Sequence, residues 1–206
     1  MTLKYLLSKF IIYSICIFSF AVVHAQDNLS VLDSLINDIV TEEFKNPVFN
    51  SGDSLTILIP DSVSNLTHYT SVKIANELQQ SGFIVFRNNL VNGHVIDLTN
   101  VYLAIHYGEP YANSFLAADL CKRNVTLKIV GQIRQEPSGQ IIKSISKEKI
   151  FSDEIIYNNI EELETSSHSF TQGERRKYST WDRIIEPALI VTSVVIIVLL
   201  FFTQRA

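Results

Sequence analysis

A chain of 206 residues in which 47% are hydrophobic and only 18% are charged, with a mean hydropathy of +0.18, is too apolar for an ordinary soluble domain. The long uncharged runs stand only at the two ends, so a multi-span channel or transporter is excluded and one domain of ordinary size is left between them. From Asp27 to Glu186 there are 21 acidic residues against 14 basic ones, a net charge of −7 that argues against nucleic acid as a partner.

At the N-terminus, Lys4 and Lys9 supply positive charge, Phe10 to Phe20 form an apolar stretch, and Val23, His24 and Ala25 make a small-residue cleavage motif. Residues 1–25 therefore read as a secretory signal peptide, an uncleaved anchor helix being the alternative. Cys16 has no small residue directly before it and is a poor lipidation site. Residues 26–164 are then an extracytoplasmic domain, periplasmic in a Gram-negative cell. Cleavage leaves Cys121 as the single thiol, so the domain has no internal disulfide and depends on its core. Such a thiol reads as a small buried apolar group, with a disulfide between two chains as the alternative. Asn28, Asn65 and Asn124 each open an Asn-x-Ser/Thr sequon, but in this composition roughly two are expected by chance.

Along the domain, Leu29, Leu32, Leu35, Ile36, Ile39, Val40 and Phe44 recur every three or four positions and predict an amphipathic helix over 28–44. After a turn-rich break, Leu55–Ile59 reads as a strand, Val72, Ile74, Ala75 and Leu78 as a helix stopped by Gly82, and Phe83–Phe86 as a second strand: a β-α-β unit. Val95–Tyr107 is a long strand interrupted near 97–100, with Val101, Leu103, Ile105 and Tyr107 on one face. Residues 124–151 fold back on themselves around Glu136–Gly139 as a hairpin. Ser152, Asp153 and Glu154 then cap a short helix reaching Leu163, and 165–183 form a polar, basic stalk. The pattern is that of an α+β fold with one small mixed sheet.

Residues 184–203 are long enough, at about 1.5 Å per residue, to cross roughly 30 Å of hydrocarbon. They predict one transmembrane helix, anchored by Trp181, Pro187, Phe201 and Phe202, with a cytoplasmic tail at 204–206. Arg175, Arg176, Lys177 and Arg183 precede it and make membrane lipid head groups a natural partner. Positive charge on that side alone would keep the domain in the cytoplasm; a signal sequence overrides this.

Known catalytic patterns are missing. Gly-x-Ser-x-Gly, Gly-x-Gly-x-x-Gly and the phosphate-cradling Gly-Lys-Thr/Ser pattern do not occur, so no nucleotide, cofactor or metal is expected. Glu42 with Glu43, Asp153 with Glu154, and Glu161 with Glu162 read as solvated helix faces. His94, Asp97 and His106 are the one group from which a two-histidine, one-carboxylate centre could be drawn.

The strand-helix-strand run at 55–86, followed by the hairpin at 124–151, resembles the small α+β domains of envelope assembly proteins in the CsgG, TolB amino-terminal and LpoB group. Ile185, Glu186 and Pro187 ahead of an apolar helix ending in Phe201, Phe202, Thr203, Gln204 and Arg205 also resemble single-span envelope proteins of Bacteroidota-like bacteria. An anchor helix in place of a lipid departs from the first group and argues against an outer-membrane pore. The resemblance implies a non-enzymatic, membrane-anchored binding or assembly subunit of a cell-envelope complex, partnered by another envelope protein. Contacts would use a sheet edge or the helix at 28–44. The alternatives are a membrane-tethered hydrolase using His94, Asp97 and His106, or a eukaryotic type I membrane-protein subunit.

Overall fold

The computed structural model describes residues 25–44, 49, 52–59, 64–88, 93–111, 118–164, 167–175 and 180–203, without the side chains of 180–184, 186 and 187. The expected signal sequence lies outside them up to residue 24.

Helix α1 spans Asn28–Phe44. It starts where Asp27 can cap it: the Asp27 carboxylate accepts the Ser30 N–H at 2.6 Å, satisfying one of the donors a helix start leaves unpaired. Its apolar stripe is consumed by the core, with Val31, Leu32, Ile36, Ile39, Val40 and Phe44 at most 1% exposed. Burying each such side chain is worth about 1.5–3 kcal/mol. The expected use of this face as a docking surface therefore falls away, because the sheet already occupies it. Strand β1 (Ser54–Leu58) leads into helix α2 (Asn65–Gln80). Ser64 Oγ accepts the Thr67 N–H at 3.2 Å at its start. At its end Gly82 takes φ +91°, a left-handed turn natural to glycine, and the Phe83 N–H reaches back to the Leu78 carbonyl at 3.1 Å. Strand β2 (Ile84–Arg87) follows and pairs parallel with β1, as the β-α-β reading requires.

Strands β3 (Gly93–Tyr107), β4 (Leu120–Glu136) and β5 (Gln140–Ile156) complete an antiparallel ladder far longer than the β-α-β unit beside it. The order is β2-β1-β3-β4-β5, with β1 parallel to β3, so the sheet is mixed and the fold α+β. The interruption expected near 97–100 is a β-bulge, a register shift between Leu98 and Asn100. Opposite it stands Gly131, where a Cβ would lie 2.6 Å from the Asp97 carbonyl oxygen; only glycine lets the kinked strand come this close. The two helices cover one face, and the core lies between them and Leu55, Ile57, Ile96, Ile105, Leu127, Ile129 and Ile145.

Three expectations are corrected downstream. The short helix expected from Ser152 does not start there: β5 continues to Ile156, followed by a 3-10 turn at Tyr157–Asn159 and a single turn of helix α3 at Ile160–Leu163. The cause is Asp153, whose carboxylate is held by Arg123 directly across the ladder, a pairing that demands strand geometry. The polar stalk expected from 165 is docked over residues 167–175. A 3-10 turn at Ser169–Thr171 buries Thr171, Phe170 lies 5.6 Å from the Tyr69 ring and 5.0 Å from His168, and strand β6 (Glu174–Arg175) pairs with the end of β3. Among the described residues no helix is long and apolar enough to cross a membrane, so the expected span at 184–203 is not borne out. Helix α4 itself runs Thr180–Thr203.

Candidate interaction surface

Two constructions stand out where the long ladder ends and where it is left uncovered. The first is a buried polar clasp. Arg123 shares strand parity with Cys121, Val125 and Leu127, so it points under the helices, and it is fully buried. Its Nε and Nη2 donate to the two carboxylate oxygens of Asp153 at 2.9 and 2.6 Å. Its Nη1 donates to the Gln26 carbonyl and to Asn28 Oδ1, both at 2.8 Å. Asn28 Nδ2 passes the network on, donating to Tyr107 Oη at 2.7 Å and to the Thr171 carbonyl at 2.8 Å. The entry to α1, the ends of β3, β4 and β5, and the docked turn at 169–171 are thereby tied to one guanidinium. Burial pushes the Tyr107 hydroxyl up to about 12 against the opposing hydrogen bond from Asn28, so it stays a neutral partner at any ordinary pH. Asn28 is fully buried in this network, so its sequon is closed to modification in the folded chain.

The second is the face of β3–β5 opposite the helices. An antiparallel ladder can leave one face to water, and here the register lays out rows across three strands: Asn100, Val130 and Ser146; Tyr102, Lys128 and Glu148; Ala104, Thr126 and Ile150. Tyr102 is 55% and Ile150 64% exposed. Asn100, Tyr102, Thr126, Lys128, Val130 and Glu148 line a shallow groove of about 460 Å³. Lys128 and Glu148 stand directly opposite each other, yet neither makes an ion pair with a described residue, and the Tyr102 hydroxyl has no described hydrogen-bond partner. The row thus offers an aromatic face and two unspent charges of opposite sign.

The predicted site residues fall elsewhere. His94 and His106 sit twelve residues apart on the same strand, about 40 Å at 3.3 Å per residue, so the histidine-aspartate centre proposed from sequence does not assemble. His94 packs edge-on against Phe49 at 5.2 Å, while His106 lies 3.2 Å from Glu174 beside β6. Among the described residues no cluster of three or more metal-ligating side chains occurs. Glu43, expected on a solvated helix face, is 4% exposed and paired to Lys143 at 2.6 Å and Lys147 at 3.0 Å of β5. Burial alone would raise its carboxyl, but the lysine hydrogen bonds hold it below the ordinary value. Cys121 is fully buried and burial raises its thiol, so it packs as an apolar group and cannot reach a second chain in this conformation.

Of the expected head-group contacts, Arg175 is turned back onto the domain, bound to Glu164 at 2.6 Å. Arg176 and Lys177, the tail at 204–206, and the side chains of Trp181, Arg183 and Pro187 lie outside the described residues. Phe201 and Phe202 are exposed at the end of α4. Sequence reasoning missed the clasp and the open row. Arg123 at a core-facing position of an otherwise apolar alternation was the available signal.

No family model matches the chain, and no curated protein matches it. Among solved structures it is similar to a minor lipoprotein from Acinetobacter baumannii, with 14% identity and a TM-score of 0.31 over 52% of this chain and 67% of that one. It is also similar to a neuraminyllactose-binding hemagglutinin homolog from Helicobacter pylori, with 14% identity and a TM-score of 0.33 over the same shares, 52% and 67%. At TM-scores this low neither likeness carries an assignment.

Proposed function

We propose that the chain is a non-enzymatic binding or assembly subunit of a cell-envelope complex, with its α+β domain outside the cytoplasm and α4 as its attachment to a membrane. The observation that carries this reading is the uncovered sheet face, where Tyr102, Lys128 and Glu148 lie in one row with no partner within the described chain. A groove lined by an aromatic side chain and opposite charges suits the polar surface of another protein, and aromatic side chains are favoured at such contacts. The attachment is supported by α4, whose described side chains from Ala188 to Thr203 carry no charge and are exposed throughout. Its Thr192 and Ser193 hydroxyls donate to the Ala188 and Ile190 carbonyls at 2.7 and 2.8 Å, so these polar groups are satisfied within the helix. The sequence reading of 1–25 as an export signal supports the same placement.

The test is capture of the full-length chain from mildly crosslinked native membranes, beside a Tyr102→Ala, Lys128→Glu variant. Envelope proteins recovered with the natural chain and lost with the variant support the reading. Recovery that is unchanged in the variant, or no reproducible partner, overturns it. Release of the chain from membranes by alkaline carbonate would overturn the attachment through α4.

A further inference from the structure

The sheet ends at β5, and among the described residues nothing pairs with its outer edge. Seventeen residues of unpaired strand are a standing template for another strand, and proteins usually blunt such an edge by shortness, proline, bulges or charges. Edge strand β2 is four residues long. Strand β5 contains no proline or glycine, and the one bulge in its ladder, between Ile133 and Arg134, falls opposite its first few residues. Its lysines Lys143, Lys147 and Lys149 point to the helix side and are neutralised there by Glu42 and Glu43.

We propose that the occupant of this edge is β5 of a second copy, running antiparallel about a two-fold axis through Ile150. The register is chosen by charge together with the length of strand that overlaps. With Ile150 on the axis, Lys147 falls opposite Asp153 of the second copy, Lys149 opposite Phe151, Ile145 opposite Ile155, and Ile150 on itself. No like charges meet. Moving the axis to Glu148 or Lys149 sets that charge against its own copy, and moving it to Phe151 sets Glu148 against Glu154. Opposite charges, aromatic and β-branched pairs directly across a ladder are favourable, and like charges are not. Ile150, 64% exposed in the monomer, then has a partner. The two sheets become one, with helices on one face and the open rows of both copies continuous on the other. This pairing goes beyond the proposed function and stands without it.

The full-length chain in mild detergent tests it through Ile150→Cys. Residues on the axis lie within the 4.4–6.8 Å Cα separation that a disulfide spans, so mild oxidation gives a linked dimer. Ser152→Cys, displaced from its own copy by about 13 Å along the strand, stays unlinked, as does the natural chain. In sedimentation, Ile150→Lys, which sets lysine on lysine, weakens self-association at least tenfold with an unchanged circular dichroism spectrum. A natural chain that sediments as a monomer, or equal crosslinking at 150 and 152, overturns the pairing. Partner capture through Tyr102 and Lys128 is a separate readout and survives a monomeric result.

Discussion

One residue step along β4 separates two different regimes. Val125, Leu127 and Ile129 point under the helices and are at most 1% exposed, while Thr126, Lys128 and Val130 on the other face lie only half-buried or open. The covered face is fixed by packing and by the Arg123 clasp, so its residues answer to fold stability. The open face carries side chains that the fold does not use, including an ion pair left unmade between neighbours 128 and 148. Recognition has room there because stability has been settled on the other side.

The sharpest way to break this contrast is at Arg123. Arg123→Met removes the donor to Asp153, Gln26 and Asn28 together and leaves a mostly buried carboxylate uncompensated, a loss expected near 3–5 kcal/mol. Urea unfolding reads it, and a loss under about 1 kcal/mol would mean that water enters the clasp and replaces the arginine. Leu127→Ala should follow at about 2–5 kcal/mol, as expected where a buried side chain leaves a cavity. Its neighbour Lys128→Ala should stay within about 0.5 kcal/mol. Equal losses at 127 and 128 would show that the second face is covered too.

The covered face was largely legible from the amino-acid pattern. Periodicity located α1 to the residue, and the alternation at 101–107 and 125–129 named the buried side of the ladder, because burial and sequence period are the same physical fact. What escaped depends on partners distant in sequence. Ser152, Asp153 and Glu154 look like a helix cap locally, and only the guanidinium across the ladder holds them extended. Residues 167–175 look like a linker because their polarity hides that Asn28 and Tyr69 bind them back onto the domain. The open row was invisible for the opposite reason: Tyr102, Lys128 and Glu148 have no hydrogen-bond or ion-pair partner among the described residues, and no local rule marks an absent partner.

The ion pairs between α1 and β5 mark the margin between the two faces. Glu43 in the folded chain titrates below its ordinary 4.5, so its pairing stabilises the fold above that pH and is lost as the pH falls through the lowered value. The urea midpoint should therefore drop on acidification below about pH 4.5, and a Lys143→Met, Lys147→Met chain should lose part of that slope. A slope unchanged in the double variant would show that the two lysine pairs of Glu43 do not carry the acid sensitivity.

The smallest effect belongs to Lys149 and Glu42. Both remain partly open to water at 28% and 45% side-chain exposure, and their attraction is screened there. Lys149→Ala should change stability by about 0–1 kcal/mol, fading further at high salt. The same substitution separates folding from assembly, since Lys149 faces Phe151 of a second copy in the proposed pairing. A change in self-association at constant unfolding midpoint assigns this lysine to the edge of the sheet, and a shifted midpoint at constant self-association assigns it to the covered face.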